Sequence, residues 1–534
     1  MKLYPSHFYL PLLCLMLFLS LNTKGQSFML HRDLQYTYSD QFGQLDTGFT
    51  SERSAAPVFS LDSLFADENK EIKVNDLTKW YWEKLFNDNL ITLKGKNYAV
   101  TVDPYFDMRM GKETAVNKVI WNNKRGVMLN SRFGKKVKIH TYFTQNLMNV
   151  DPYIRQWSER TRILPGEGEA KIGPVEMTNF YTAGALDYQL NEFIDFTFGH
   201  GKNFLGDGYR SLLLSDAASA YPFARFNLHF GKRVNYTAIV AEFLDNTENS
   251  VPVGFTLRRK KYTSFHYLDI KVHRKLFVGF YEAVIWGGDS LSRATFEVNY
   301  LNPFVVMRPL EFGLGSPDNV QLGTNVKYLP FKGATLYGQF LLTEFYGQEF
   351  FGGRDWFGNK YGFQLGGKFH NFPFAKNLFL QLEYNQIRPF TYNHRSSVTS
   401  FAHNGQPLAH PSGGNLKEGI AILNYRVKRW SANWRSVYRI SGLENTDSTS
   451  IGTDVQRSYY LRESEFGNVI GQGKAYRQWY NQFTLSYLLN PSNRMALEAG
   501  VVNRHESTAG IGSKQYNYIF FGIRTGFLNT YHDF

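Results

Sequence analysis

From about Asn97 onward, apolar and polar residues alternate with a period of two over segments of ten or more positions. That period is the mark of strands with two chemically different faces. Between Lys376 and Arg388, Leu378, Leu380, Leu382 and Tyr384 share one face, while Gln381, Glu383 and Asn385 share the other. Trp430, Ala432, Trp434, Tyr438 and Ile440 alternate with Asn433, Arg435 and Arg439 in the same way. Tyr361, Phe363, Leu365 and Phe369 alternate with Lys360, Gln364 and Lys368, and Met495, Leu497, Ala499 and Val501 with Glu498 and Gly500. A soluble sandwich would alternate too, so the connections have to separate the two cases. Short links at 231–233, 273–274, 330–332, 428–429 and 490–492 alternate with long polar ones near 199–221, 245–258, 346–358, 389–415, 442–474 and 505–514. Short turns on one rim and long loops on the other predict an all-β fold, a transmembrane antiparallel β-barrel of about 18 strands.

Two stretches depart from the pattern. Residues 147–184 alternate too little to read as strand and are expected to form a plug or a helical insertion. Ahead of the barrel, about Val74 to Leu90 reads as one helix, with Asn75 or Asp76 as N-cap and Leu77, Trp80, Tyr81 and Leu85 on one face. The last alternating stretch, Ile519, Phe521, Ile523, Thr525 and Phe527 against Phe520, Gly522, Arg524 and Gly526, is followed by the aromatic Phe534. A final amphipathic strand with a terminal aromatic is similar to the signal read by barrel-insertion machinery, which makes that machinery an expected partner during biogenesis.

Residues 1–25 read as a secretory signal peptide, with Lys2 ahead of the apolar run Phe8 to Leu21. The predicted organisation is therefore a removed leader (1–25), a periplasmic lead-in with its helix (26–96) and an outer-membrane barrel (97–534). The single cysteine, Cys14, falls in the leader, so the exported chain has no disulfide, thiolate nucleophile or Cys-bound zinc to offer. No later stretch has the roughly 18 consecutive apolar residues a spanning helix needs. The mean hydropathy of −0.36 excludes a helical membrane bundle but not a barrel, whose lumen-facing residues are polar.

The chain carries 59 Lys and Arg against 46 Asp and Glu, a formal charge of +13, with 17% aromatic residues. Inward Lys and Arg beside Tyr and Trp suit an anionic polysaccharide, since aromatic faces stack on sugar rings and guanidinium groups hold carboxylate or phosphate. The same residues would equally pair with lumen acids. A basic excess also suits a surface facing lipopolysaccharide phosphates; nucleic acid is a poor partner for an exported barrel.

The densest polar stretch is Gly199-His200-Gly201-Lys202-Asn203-Phe204-Leu205-Gly206-Asp207-Gly208-Tyr209-Arg210-Ser211-Leu212-Leu213-Leu214-Ser215-Asp216. His200, Lys202, Asp207, Tyr209 and Arg210 are its candidate ligand-binding residues. It lacks the Ser or Thr of a phosphate loop. Ser211 and Ser215 lack a nucleophile-elbow setting, and His394, His403 and His410 match no zinc spacing. No catalytic residue, metal or cofactor is expected.

The run Gly206–Ala217, continuing to Tyr221-Pro222-Phe223, resembles the signature of the Wzi capsule-assembly family of outer-membrane proteins. The fuller form from Phe198, with Glu383–Tyr392 and Gln406–Pro411, is more similar to the RemB-type gliding-motility-associated proteins of Bacteroidota. The resemblance covers about 180–411. It implies a barrel of about 18 strands with a periplasmic helical element. For the first branch it implies a lectin-like role in anchoring capsular polysaccharide, and for the second a surface role in gliding and adhesion. It supplies no catalytic residues. The rival class is a porin or substrate-selective outer-membrane channel.

Overall fold

The computed structural model describes residues 48–50, 72–74, 77–246, 258–287, 296–302, 306–315, 318–371, 375–525 and 529–534. Among them, eighteen antiparallel strands hydrogen-bond in chain order and the last pairs back on the first, closing a barrel. The first nine are β1 (Tyr98–Glu113), β2 (Lys118–Phe133), β3 (Val137–Asn149), β4 (Met177–Gln189), β5 (Ile194–Gly201), β6 (Tyr221–Phe230), β7 (Val234–Asp245), β8 (Arg259–His273) and β9 (Leu276–Gly287). The rest are β10 (Asn319–Tyr328), β11 (Ala334–Glu344), β12 (Lys360–His370), β13 (Leu378–Ile387), β14 (Leu416–Val427), β15 (Trp430–Leu443), β16 (Lys474–Asn490), β17 (Met495–Thr508) and β18 (Gly512–Thr525). The seam is staggered. β18 covers β1 from Asp107 to Glu113, and below it the short strand Ile91–Lys94 pairs with Ala99 to Val102.

The alternation sets the two faces. Leu365, Leu382, Trp430, Trp434, Leu497 and Phe521 project outward and are exposed, whereas Gln364, Glu383, Arg439, Gln478 and Phe520 project inward and are buried. An apolar outer band on a closed sheet, with the interior of the sheet hydrogen-bonded strand to strand, is the condition for crossing hydrocarbon with strands. No helix among the described residues is long and apolar enough to cross a membrane.

The inward polar face meets protein. Loop 202–220, loop 388–415, the segment 529–534 and the buried parts of residues 150–170 fold into the lumen, while Lys171 and Ile172 pair with the end of β4 at the rim. Leu205, Leu212, Leu213 and Leu214 pack against Tyr281, Leu341, Ile387, Tyr392 and Phe401, each fully buried leucine contributing about 1.5–3 kcal/mol. Tyr153 and Ile154 of α2 (Pro152–Thr161) pack with Met148 and Tyr516.

Four details differ from the sequence-based expectations. Within 147–184, residues from Met177 belong to β4 and those to Asn149 belong to β3, so the insertion is confined to 150–176. The expected loop at 505–514 is a tight turn at 509–511, because β17 and β18 keep pairing to Thr508 and Gly512. The closing strand stops at Thr525 and residues 529–534 lie inside the barrel, so Phe534 is not the end of that strand; Gly526 and Phe527 lie outside the described residues.

The fourth is the lead-in helix. α1 spans only Trp80–Phe86, its N-cap position is Lys79, and none of its residues is buried. Asn75 and Asp76 lie outside the described residues. Trp80, 75% exposed, does not pack on the barrel. The helix is held by its backbone at the short-turn rim. Arg429, in the β14–β15 turn, donates from Nε and Nη2 to the Ile72 carbonyl at 2.9 and 2.7 Å and from Nη2 to the Phe86 carbonyl at 3.2 Å. Asn490 Nδ2 donates to the Lys84 and Asp88 carbonyls, both at 2.9 Å.

Replacing Arg429 with Ala removes charge-assisted hydrogen bonds worth about 1.5–3 kcal/mol each. The Arg429→Ala protein is expected to be cut faster by limited proteolysis around residues 72–90, with the barrel's heat-resistant gel mobility retained. Equal cleavage rates would show that Arg429 is not the tether.

Candidate functional site

Every residue from Gly201 to Ser219 is buried. The loop closes on itself through Leu205 N–H donating to the Leu214 carbonyl at 2.9 Å. It is drawn to the wall by Glu383 of β13, which accepts the backbone N–H groups of Tyr209 (2.6 Å) and Arg210 (3.0 Å). Gln364 Nε2 donates to the Arg210 carbonyl at 3.1 Å. That approach needs a glycine at 208, where a Cβ would stand 2.6 Å from both the Arg210 carbonyl oxygen and Glu383 Oε2. Gly206, at φ +152°, makes the preceding bend.

Arg210, 1% exposed, is the centre of the lumen. Its Nε and Nη2 donate to the two oxygens of Glu418 on β14, both at 3.2 Å, and Nη1 donates to Asp533 Oδ1 at 3.1 Å. Tyr209 OH donates to Asp533 Oδ2 at 2.7 Å and itself accepts from Arg435 Nη1 at 2.5 Å. His410 Nε2 meets Glu418 Oε2 at 2.8 Å. The guanidinium lies 4.8 Å from the Tyr209 ring centroid and 5.4 Å from that of Tyr531. Burial alone would raise the Asp533 carboxyl, but the Arg210 and Arg435 guanidiniums and the Tyr209 hydroxyl hold it below the usual carboxylate range.

The other candidates separate. Asp207 Oδ2 accepts from Thr50 Oγ1 (2.8 Å) and Asn325 Nδ2 (3.1 Å), and its Oδ1 lies 3.4 Å from Lys327 Nζ, so it clasps residues 48–50 to the wall. Lys202 Nζ donates to the Asp216 carbonyl at 3.1 Å, and burial pushes its ammonium down to about 8. Asp216 in turn accepts from Asn529 Nδ2 and Tyr531 OH, both at 2.7 Å. His200 is still in β5, in phase with Phe196 and Phe198, and projects from the outer face. The structure therefore gathers Lys202, Asp207, Tyr209 and Arg210 inside the lumen and leaves His200 outside it.

No hydrolytic or metal constellation assembles from the other candidates. Ser211 Oγ donates to the Leu205 carbonyl at 2.5 Å, and Ser215 Oγ donates to the Ala409 carbonyl. His394 bonds Thr399 Oγ1 at 2.6 Å and His403 Nδ1 accepts from Leu244 N at 3.1 Å, so these two and His410 each serve separate local contacts.

The large cavity lies above this network, at the long-loop rim, with a volume of about 1550 Å³. Seven Lys and Arg line it against four Asp and Glu. Two arginines take all four acids: Arg258 pairs with Glu169 at 3.0 Å, and Arg457 faces Glu444, Asp447 and Asp454 at 4.0, 3.6 and 3.5 Å. Arg160, Arg162, Lys171, Lys474 and Arg439 form no ion pair among the described residues. Arg439 Nη2 donates to Gln478 Oε1 at 2.6 Å, leaving its buried Nε without a partner among those residues. The buried Gln406 Nε2 is unpartnered in the same sense, while its Oε1 accepts from Gly166 N at 2.7 Å. Trp157, Tyr531 and Phe534 supply aromatic surface.

None of the five sequence candidates lines this vestibule. Three of them are linked to the segment 529–534 that borders it: Tyr209 and Arg210 bond Asp533, and Lys202 bonds the carbonyl of Asp216, whose carboxylate holds Asn529 and Tyr531. The five cations without an ion pair come from α2 (Arg160), its C-cap (Arg162), the short strand Lys171–Ile172, β15 (Arg439) and the start of β16 (Lys474). Their only sequence signal is the basic cluster Arg160-Thr161-Arg162, which carries no motif.

No protein-family model and no curated protein matches the sequence. Among solved structures the chain is similar to Wzi of Escherichia coli, described as an outer-membrane protein involved in group 1 capsule assembly and a carbohydrate-binding β-barrel. The TM-score is 0.54 at 13% identity, covering 95% of this chain and 100% of that one. Pseudomonas aeruginosa OprD superposes with a TM-score of 0.40 at 10% identity, over 79% of this chain and 94% of that one. At 13% identity the likeness to Wzi is one of fold.

Arg210→Ala leaves two buried carboxylates short of their main cation, a loss of about 3–5 kcal/mol. It is expected to lower the temperature of the folded-to-unfolded gel shift, with Arg210→Lys intermediate because it cannot grip Glu418 with two donors. An unchanged transition in Arg210→Ala would remove the network from its central role. Because Asp533 is held low in the folded state, its contribution is present above the ordinary carboxylate range and is lost as pH falls through the lowered value. Acidification should therefore narrow the gap between wild type and Arg210→Ala. Gly208→Ala is expected to cost about 1–3 kcal/mol through overpacking against Glu383; a wild-type melting transition would refute the close approach.

Proposed function

We propose that the protein is a non-enzymatic outer-membrane barrel that binds an acidic glycan in the long-loop vestibule and so holds capsular or extracellular polysaccharide at the cell surface. The observation that carries this reading is the imbalance in the vestibule lining, where every acid is engaged by Arg258 or Arg457 and five cations are left without a carboxylate. A uronate or phosphate-bearing polysaccharide supplies the missing anions, and Trp157 and Phe534 offer faces for sugar rings. Lys202, Asp207, Tyr209 and Arg210 are positioning residues in this proposal, fixing the vestibule floor without touching the glycan. Capsule retention and motility-linked adhesion both make use of such a grip, and the cell's own polysaccharide decides between them.

The rival reading is a porin or substrate-selective channel. A lumen filled by loops 202–220 and 388–415 and the segment 529–534 favours binding over free diffusion.

Calorimetry with a uronate oligosaccharide and with a neutral glucan tests the proposal. Binding of the uronate alone is expected, weakening with added salt. The triple variant Arg160→Ala, Arg162→Ala, Lys474→Ala is expected to bind about tenfold or more weakly, roughly 1.4 kcal/mol. Equal affinity for both sugars, or no effect of the triple variant, would sink the site. A steady large single-channel conductance from the wild-type protein would favour the channel instead.

A further inference from the structure

We propose that the loops β9–β10 and β11–β12 form a lipid-docking platform on one side of the barrel, seated in the outer leaflet at the long-loop rim. The proposal rests on the membrane-spanning reading of the wall and is independent of glycan binding.

The described part of the β9–β10 loop lies on the outer side of the wall, and so does the first part of the β11–β12 loop, whose later residues Arg354, Asp355 and Phe357 bond the β15–β16 loop at the rim. Tyr300 and Met307, from the β9–β10 loop, are buried against Val284, Trp286 and Val320, with Tyr262 and Leu310 packed around them. Those wall residues are out of phase with the lumen-facing Phe265, Tyr281, Ile285 and Gln321, so the cluster sits on the outer surface. The helix α3 (Met307–Leu314) therefore lies against the outside of the barrel. Its first turn is fixed by an outward carboxylate: Glu282 of β9 accepts the Arg308 N–H at 3.0 Å. A lipid-facing acid would be costly without such a partner. In the β11–β12 loop, α4 (Gly347–Phe351) does the same, with Phe350 against Tyr361 at 5.7 Å and Tyr361 against the outward Phe340 at 6.2 Å.

Each of these short helices then presents one phenylalanine away from the protein. Phe312 is 85% and Phe351 83% exposed, the highest values among the large hydrophobic side chains described. Val298 and Val306 in the same loop as Phe312, and Phe345 and Tyr346 just ahead of α4, are exposed as well. The two patches flank the single hairpin β10–β11, whose outer face exposes Leu322, Val326, Leu336 and Phe340, and the one charged pair on α3, Arg308 with Glu311 at 3.0 Å, is self-neutralised. Exposed aromatic and aliphatic side chains on short helices, seated beside a lipid-facing wall, match acyl chains and the interfacial zone where aromatic rings concentrate. The occupant is lipid of the outer leaflet, and the platform fixes the depth and tilt of the barrel.

The test is site-directed fluorescence in a Cys14→Ser background, with an environment-sensitive label at Phe312→Cys, Phe351→Cys, the outward wall position Leu365→Cys and the loop position Tyr460→Cys. The protein is reconstituted in vesicles with and without doxyl-labelled lipid. Labels at 312 and 351 are expected to lose emission to doxyl lipid and resist iodide, as at 365, while 460 is quenched by iodide alone. Lipid quenching at 365 with iodide quenching at 312 and 351 would overturn the platform and spare the barrel reading. No lipid quenching at 365 would overturn both. Quenching between labels at 312 on separate copies, unaffected by doxyl lipid, would overturn the lipid assignment in favour of a protein contact.

Discussion

One guanidinium ties three separate parts of the chain together. Arg210 belongs to the inserted loop, Glu418 to the wall and Asp533 to the segment that folds back after the last strand. A buried charge is tolerable only when paired and hydrogen-bonded in good geometry. Here Glu418 takes two donors from Arg210 and one contact from His410, while Asp533 takes Arg210 and the Tyr209 hydroxyl. Tyr209 and Tyr531 pack against the guanidinium and keep water away from it. The wall strand is fixed by its own pairing, and Arg210 joins the loop and the returning segment to it through Glu418 and Asp533.

The polar inner wall of a barrel can be satisfied by water or by protein. This chain uses protein, and it does so by turning wall carboxylates and amides toward inserted backbone. Glu383 accepts two consecutive N–H groups of the loop. Gln339 accepts the Leu212 N–H at 2.8 Å and donates to the Leu205 carbonyl at 3.2 Å. A loop crossing a lumen carries many backbone polar groups, and each would cost free energy if left bare. The inward side chains of β11 to β14 are thus read twice, once as the polar half of an amphipathic strand and once as the partners of the loop.

The strands were legible because period two is a local property. Leu378 to Asn385 shows both faces within eight residues, and a count near eighteen followed from repeating that test along the chain. Long-range pairing was not legible. Nothing in 529–534 announces that Asp533 meets Arg210, more than three hundred positions away. The tight turn at 509–511 was hidden because His505, Glu506, Ser507, Ser513 and Lys514 are polar on both faces where the strands extend above the apolar band. His200 could have been placed correctly: it continues the phase of Phe196 and Phe198, so strand parity puts it outside even though the glycines around it suggest a loop. The outward loops were missed because 288–318 reads as an unpatterned apolar and aromatic mixture, and its partner surface exists only once β8, β9 and β10 lie side by side.

The positive charge of the chain says little by itself about where an anion would bind, because most buried cations here are spoken for. Lys124 pairs with Glu167, Lys327 with Asp207 and Lys360 with Glu344. What distinguishes the vestibule is the local balance that remains after such pairing. Arg457 draws three acids to itself and Arg258 a fourth, so the cations from α2 and β16 face the cavity with no carboxylate in reach. The lumen below reaches the opposite outcome, with Glu418, Asp533 and Asp207 matched to Arg210, Arg435 and Lys327 and with inserted chain occupying most of its space. Room and unmatched charge therefore coincide above the inserted loop, and the fold of that loop sets how deep the vestibule goes.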